Sequence, residues 1–308
     1  MRRINENEVR NDFDLENGKN AAKSNKLEGS LRDTVIRLWT MKSEAMAKVY
    51  AQALVYDSFS EFVDFATGQR CNLEVATFAY SNVFDMDWQK VLEEHKQKMS
   101  SFVGKISLHG VFQDVLIHSS DKKIAALSKE RVMSTMEVAS ELKATKVVFH
   151  GNSNPLVKEE YYKKNWVDRN SSFWSEVLDR YNVMILLENT WEPSPDMFRR
   201  LLDRVNSSRF KICFDIGHAN VYSTIPVKEW FDSLGPEIPY IHLSNNSGEK
   251  DQHLEIGKGK INWQEFSKIV EEYTVRPEIV LELVTVEETK RSLRYLAENN
   301  IYPFNNGA

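Results

Sequence analysis

Lys211-Ile-Cys-Phe-Asp-Ile-Gly-His-Ala-Asn220 is the stretch whose reading decides the fold. Ile212, Cys213 and Phe214 form an unbroken apolar run, the pattern of a short strand in a sheet covered on both faces. The run stops at Asp215, with Gly217 and His218 just beyond. An acid and an imidazole at the exit of a buried strand suit a core poorly and a metal well. Four further runs end in the same way: Ile106-Ser-Leu-His109, Val147-Val-Phe-His150, Ile185-Leu-Leu-Glu188 and Tyr240-Ile-His242. Ile279-Val-Leu-Glu282 completes the series.

Working outward, two more strands precede these, at Val49–Val55 and Asn72–Phe78. The others are predicted at Lys105–His109, Lys146–His150, Val183–Glu188, the opening stretch, Ile238–Leu243 and Ile279–Leu283. Helical spacing falls between them. Asp57 and Ser58 cap a helix running to about Phe65, and a second spans roughly 86–100. After Ser120-Asp121, a third carries Ile124, Leu127, Val132, Met136, Ala139 and Leu142 on its apolar side. Others are expected near 158–181, after Pro195, and near 226–234, 263–273 and 286–299. Eight strand-then-helix units, with strands about 25–40 residues apart, suit right-handed parallel crossovers. Closed on themselves, they make an α/β fold of the (β/α)8 TIM barrel type, placed at residues 47–303. An open doubly wound sheet would carry a glycine-rich phosphate loop, and the sequence has none.

Residues 1–46 stand apart as an N-terminal extension. The first thirty or so are polar, charged and rich in Asn, a composition that cannot bury enough to fold. Val35, Ile36, Leu38, Trp39 and Met41 allow a short surface helix. The extension is either an appendage or the product of a start assigned upstream of Met41 or Met46. Of the 308 residues, 42% are hydrophobic and 28% charged, with a net charge of −5. That balance offers no general attraction to nucleic acid or an anionic membrane. No window approaches a membrane span, and the N-terminus has no apolar core of a signal peptide. Cys71 and Cys213 are the only cysteines. Cys213 shares the parity of Asp215 and should pack in the interior, so the reading is a disulfide-free protein of the reducing cytoplasm.

Seven histidines are present. His109, His150, His218, His242 and His253 sit at a strand end or in the loop just past one, as do Glu188, Asp215, Asp251 and Glu282. Carboxylates crowded at a barrel mouth repel one another unless a cation neutralises them. Carboxylate and imidazole together suit Zn, Mn, Fe or Co. His118, in a polar loop, and His95, in a charged helix, fall outside this pattern and read as surface residues. Arg199-Arg200-Leu-Leu-Asp-Arg204 reads as the wet face of an amphipathic helix. Trp191 is either a core filler or an aromatic platform for a sugar. Lys258-Gly259-Lys260 either holds a substrate phosphate or is a solvated loop.

Several segments resemble, in order and spacing, the motifs of the xylose isomerase-like barrel superfamily. They are Leu187-Glu188-Asn189, Phe214-Asp215-Ile216-Gly217-His218, Ile241-His242-Leu243, Asp251-Gln252-His253 with Ile256-Gly257-Lys258-Gly259, and Leu281-Glu282. The resemblance spans about Val49 to Asn299. It implies one divalent ion (Mn, Zn, Co, Fe or Mg) on Glu188, Asp215, His242 and Glu282, as in sugar and sugar-phosphate isomerases and epimerases. It also implies that His109, His150, His218, Asp251 and His253 would ligate two further ions if the chain followed the endonuclease IV branch. Asn189-Thr-Trp191, Gly217 and Gly151-Asn152 depart from that nuclease's pattern, and no loop interleaves basic and aromatic residues to grip a duplex.

The expectation is therefore a metal-dependent isomerase or epimerase of a small sugar or sugar phosphate, working through an enediolate. Glu188 and Glu282 would be its acid and base, His218 would orient a substrate oxygen, and Trp191 and Lys258 are candidate substrate contacts. An abasic-site phosphodiesterase is the alternative enzyme, and a sugar-binding relative without catalysis is the third reading. Nucleic acid and membrane are not expected partners.

Overall fold

A computed structural model describes residues 43–53, 58–273 and 276–305. Residues 1–42 of the predicted extension, with most of its short helix, and Asp57 of the predicted cap lie outside the described residues. Eight parallel strands close into a barrel in sequence order, with β1 hydrogen-bonded to both β2 and β8. The strands are β1 (Val49–Ala53), β2 (Asn72–Val75), β3 (Ile106–His109), β4 (Lys146–His150), β5 (Met184–Glu188), β6 (Phe210–Asp215), β7 (Tyr240–Leu243) and β8 (Glu278–Leu281). Helices on the described chain are α1 (Phe59–Gln69), α2 (Trp88–Lys98), α3 (Lys122–Glu141), α4 (Glu160–Arg180), α5 (Asp196–Val205), α6 (Ile216–Tyr222), α7 (Val227–Leu234), α8 (Trp263–Glu272) and α9 (Val286–Glu298).

Alternation along each strand separates two apolar layers. Ile185, Leu187, Ile212, Phe214, Ile241, Ile279 and Leu281 face outward into the shell packed with helix residues such as Trp166, Phe198, Trp230 and Phe266. Tyr50, Val148, Leu186, Cys213, Tyr240 and Val280 face inward and plug the lumen. Two residues further along the same parity, about 6.6 Å toward the strand ends, come His150, Glu188, Asp215, His242 and Glu282. The unbroken apolar look of the strands thus hides a strict alternation between helix-facing and lumen-facing side chains. Cys213 is wholly buried in the plug, as its parity requires.

Four local readings are corrected. The second strand ends at Val75, and Phe78 sits in a short 3-10 turn at Thr77–Ala79 that carries it into the core. The helix after Ser120-Asp121 buries Val132, Met136 and Ala139, but Ile124 and Leu127 are exposed at 44% and 52%. A helix of 20 residues is about 30 Å long, far longer than its four-residue neighbour β3, and its first two turns leave most of their side chains exposed. Between β6 and α7 an additional helix, α6, begins directly at Ile216. His95 and His118, expected on the surface, are buried. His95 is held by Thr77 Oγ1 at 2.9 Å and the Val91 carbonyl at 2.8 Å, with its ring on Phe59. The wet face of α5 is as expected: Arg199 pairs with Asp203 and Arg200 with Glu160, while Phe198, Leu201 and Leu202 are buried. No helix among the described residues is long and apolar enough to cross a membrane.

Candidate metal centre at the barrel mouth

Every candidate ligand is delivered by a strand end or the loop behind it. His109, His150, Glu188 and Asp215 are the last residues of β3, β4, β5 and β6. His242 is the third residue of β7, and Glu282 follows β8 directly. His218 stands in the first turn of α6, whose N-cap is Asp215 itself: Asp215 Oδ1 accepts the His218 backbone N–H at 2.6 Å. A carboxylate at that position satisfies an orphan N–H of the helix and meets its positive end. Asp251 and His253 come from the loop after β7, which is folded back by a two-way backbone pair between Asn245 and Leu254.

Glu188, wholly buried, is the hub. Its Oε2 lies 3.4 Å from Nε2 of both His109 and His150. Its Oε1 lies 3.3 Å from His218 Nδ1 and 3.4 Å from His242 Nδ1. Nδ1 of His242 is also 3.3 Å from Glu282 Oε2 and 4.0 Å from Asp215 Oδ2. Ligand atoms of Glu188, Asp215, His242 and Glu282 all fall within 4.8 Å of one another, and so do those of His109, His150 and Glu188. A third group gathers at Asp251 Oδ2, 3.4 Å from His218 Nε2 and 2.8 Å from His253 Nε2.

The imidazoles are oriented from behind. His109 Nδ1 faces the Gly110 carbonyl at 3.0 Å, His218 Nδ1 the Asn189 carbonyl at 2.8 Å, and His253 Nδ1 the Glu282 carbonyl at 3.1 Å. A carbonyl only accepts, so Nδ1 of each of these rings donates, which fixes the ring and turns Nε2 toward the site. That arrangement is how ligating histidines are held. Nε2 of His109 faces Glu188 Oε2, and Nε2 of His218 and of His253 faces Asp251 Oδ2. Both oxygens of Glu188, Asp215 Oδ2, Glu282 Oε2 and both nitrogens of His242 are buried and close to neighbours, yet aligned for no hydrogen bond. Burial, with the Glu188, Glu282 and Asp251 charges adding to it and outweighing His218, pushes Asp215 up to about 7. Orphaned buried carboxylates at such spacing are costly, and a divalent cation among them removes the cost. The residues fit such an ion.

Two candidates from the sequence do not join this cluster. Trp191 is 49% exposed, which removes the core-filler reading. Lys258 has a side chain 60% exposed and donates to Glu255 Oε1 at 2.6 Å, so it sits as a solvated loop residue. The sequence reading missed Gln52, Glu74, Asn189 and Glu192. Asn189 clamps Asp215 through two hydrogen bonds to its backbone, at 2.8 and 2.9 Å. Buried Glu192 accepts from Ser153 and Thr190 and ties the loops after β4 and β5 together. Gln52 and Glu74 had a signal: each is a polar residue between apolar neighbours inside a strand covered on both faces.

The family model for the xylose isomerase-like TIM barrel matches residues 69–299. The chain belongs to that family. Among its relatives is the uncharacterized protein MJ1614 of Methanocaldococcus jannaschii, 29% identical over 201 residues, which are 63% of this chain and 77% of that protein. A solved structure of the TTHB071 protein of Thermus thermophilus, soaked with ZnCl2, superposes with a TM-score of 0.68 at 23% identity, covering 82% of this chain and 97% of its own. A D-tagatose 3-epimerase-like protein gives a TM-score of 0.68 at 22% identity, covering 81% and 96%. At these identities the two structures establish a shared barrel. Family membership establishes the barrel without fixing what its mouth acts on.

Proposed function

We propose that the chain is a divalent-metal-dependent isomerase or epimerase of a small sugar or sugar phosphate. The observation that carries this is the buried set Glu188, Asp215, His242 and Glu282, orphaned around one point at the barrel mouth. Similarity to a D-tagatose 3-epimerase-like protein supports the substrate class. A divalent ion on those four residues would supply Lewis-acid polarisation of a substrate carbonyl and its neighbouring hydroxyl. Glu188 and Glu282 reach the site from well-separated strands, so one can take a proton from the carbon beside the carbonyl and the other return it to the opposite face. General acid–base catalysis of this kind contributes about 10²–10⁴-fold. His218, with Nδ1 fixed by Asn189, offers Nε2 to a substrate oxygen. With Glu188, Asp215, His242 and Glu282 buried, their charges are weakly screened by solvent.

A second reading, phosphodiester hydrolysis of the abasic-site type, is favoured by one observation: the outlying groups around His109 with His150 and around Asp251 with His218 and His253. Two-ion and three-ion sites serve in-line displacement at phosphorus. The two readings separate in one experiment. The protein, dialysed against Mn²⁺, Co²⁺ or Zn²⁺, is incubated with ketohexoses, pentoses and their phosphates in D₂O, and with an abasic-site duplex. Carbon-bound deuterium in a sugar is expected, lost by more than about 10²-fold in both Glu188→Gln and Glu282→Gln. Exchange near the wild-type rate in either variant removes that glutamate from the proposed role. Strand scission with no sugar exchange replaces the first reading by the second.

A further inference from the structure

Directly beneath the mouth cluster lies a second polar layer that no ligand assignment uses. Glu74, on β2, is wholly buried in the lumen, as are Gln52 of β1 and Ser107 of β3. Glu74 Oε1 accepts from Gln52 Nε2 at 2.9 Å, and Oε2 stands 3.0 Å from Tyr240 OH and 3.2 Å from Ser107 Oγ. The two hydroxyls are also 2.6 Å from each other, so they share two protons among three contacts. All of these donors are neutral. The charged neighbour of Glu74 is His242, whose Nε2 lies 3.2 Å from Glu74 Oε1. Because Nδ1 of His242 faces Glu188 and Glu282, the ring stands between a buried carboxylate below and the ligand carboxylates above.

Gln52 completes the layer. Its Nε2 also donates to Glu282 Oε1 at 2.9 Å, so one amide nitrogen spans both glutamates with its two protons. The flipped amide would set an oxygen against two carboxylates, so the donor orientation is the one chemistry allows. Oε1 of Gln52 is correspondingly left without a partner.

We infer that Glu74 is a positioning residue for the metal centre: its charge, 3.2 Å from Nε2 of His242, favours the proton on that nitrogen and leaves Nδ1 for the ion, while Gln52 fixes Glu282 to the same carboxylate. This rests on the metal-centre reading. His242 presents Nδ1 to Glu188, where His109 and His150 present Nε2, and its other nitrogen faces a carboxylate. A backbone carbonyl orients His109, His218 and His253. A carboxylate behind a ligating imidazole raises its basicity as well as fixing its tautomer. A carboxylate sealed among neutral donors is otherwise hard to account for.

The test uses the full chain and Glu74→Gln, which keeps shape and an acceptor oxygen but removes the charge. Zn²⁺ affinity is read by chelator competition, Co²⁺ by its ligand-field spectrum, and the His242 tautomer by nitrogen-15 NMR of the protein loaded with Zn²⁺. Glu74→Gln is expected to weaken Zn²⁺ about 10–100-fold, to alter the Co²⁺ spectrum and to weaken the Nε2–H signature, with near-ultraviolet circular dichroism unchanged. Tyr240→Phe, which touches Glu74 but no ligand oxygen, is expected to give a smaller change in the same direction. It serves as the test variant if Glu74→Gln does not fold. Unchanged affinity and tautomer in a folded variant overturn the inference. Wild-type protein that binds neither Zn²⁺ nor Co²⁺ overturns the metal-centre reading beneath it. Wild-type binding with unchanged variant binding overturns the role of Glu74 alone.

Discussion

His118 illustrates at the residue scale what burial does to a titrating group away from the mouth. Tyr162 OH accepts the Asn154 backbone N–H at 2.7 Å and lies 3.2 Å from His118 Nε2, so its own proton is free to go to the ring. His118 is thus an acceptor in the fold, packed against Tyr162 and Trp166. Burial, with the Arg169 charge adding to it, pushes the imidazole down to about 4. The folded value lies below the unfolded one, so the unfolded chain takes up the proton first. Stability from this residue is whole above about pH 6.5 and is lost as pH falls toward 4, at up to about 1.4 kcal/mol per pH unit. Urea unfolding of wild type and His118→Gln between pH 7 and 4.5 reads the difference. Wild type should lose stability relative to the variant as the pH drops, and a difference independent of pH would refute the assignment. Nothing local in Ile117-His118-Ser119 announces this burial, because the burying residues, Tyr162 and Trp166, come from α4. His95 was missed for the same reason: its charged helix says nothing of the Phe59 and Phe78 rings that cover it.

At the scale of elements, strand ends do the positioning, and Asn189 shows how one strand is extended by a side chain. The β5–β6 ladder ends with Glu188 opposite Cys213. One step on, the Asn189 amide takes the place of a backbone unit, donating to the Asp215 carbonyl and accepting its N–H. Asn189→Ala leaves that buried N–H and carbonyl unsatisfied, and a loss of about 1–3 kcal/mol is expected in urea unfolding. Because the same clamp sets where Asp215 points, Zn²⁺ affinity should fall too. Wild-type affinity in this variant would show that β6 holds Asp215 unaided. The strands and their polar ends were legible because a fully covered parallel sheet forces apolar runs that stop abruptly. The short α6 was not, since Asp215 doubles as N-cap and candidate ligand and the metal reading absorbed it. Exposure of Ile124 and Leu127 at the start of α3 was equally hidden: periodicity reports which face is apolar, not how much of its length is covered.

For the whole molecule, the barrel's contribution is convergence. Residues spread from His109 to Glu282 along the chain meet within a few ångströms because eight parallel strands of matched parity present their last inward side chains at one mouth. The apolar plug of Tyr50, Val148, Leu186, Cys213, Tyr240 and Val280 closes the lumen from below, with the Glu74 layer between. The fold, and the residues gathered at its mouth, could be read from the order and spacing of the strand ends. The supporting residues could not, because Glu74 reaches His242 across the lumen between strands far apart in sequence. The central claim, that this mouth is a divalent metal centre, is tested most directly by elemental analysis. Purified wild type and Glu188→Gln are loaded with Zn²⁺, dialysed against metal-free buffer and measured by inductively coupled plasma mass spectrometry. Wild type is predicted to retain at least one ion per chain, with two or three indicating that the outlying histidine groups are filled, and Glu188→Gln is predicted to lose ions because Glu188 touches every group. Wild-type protein that retains no stoichiometric ion would contradict the account.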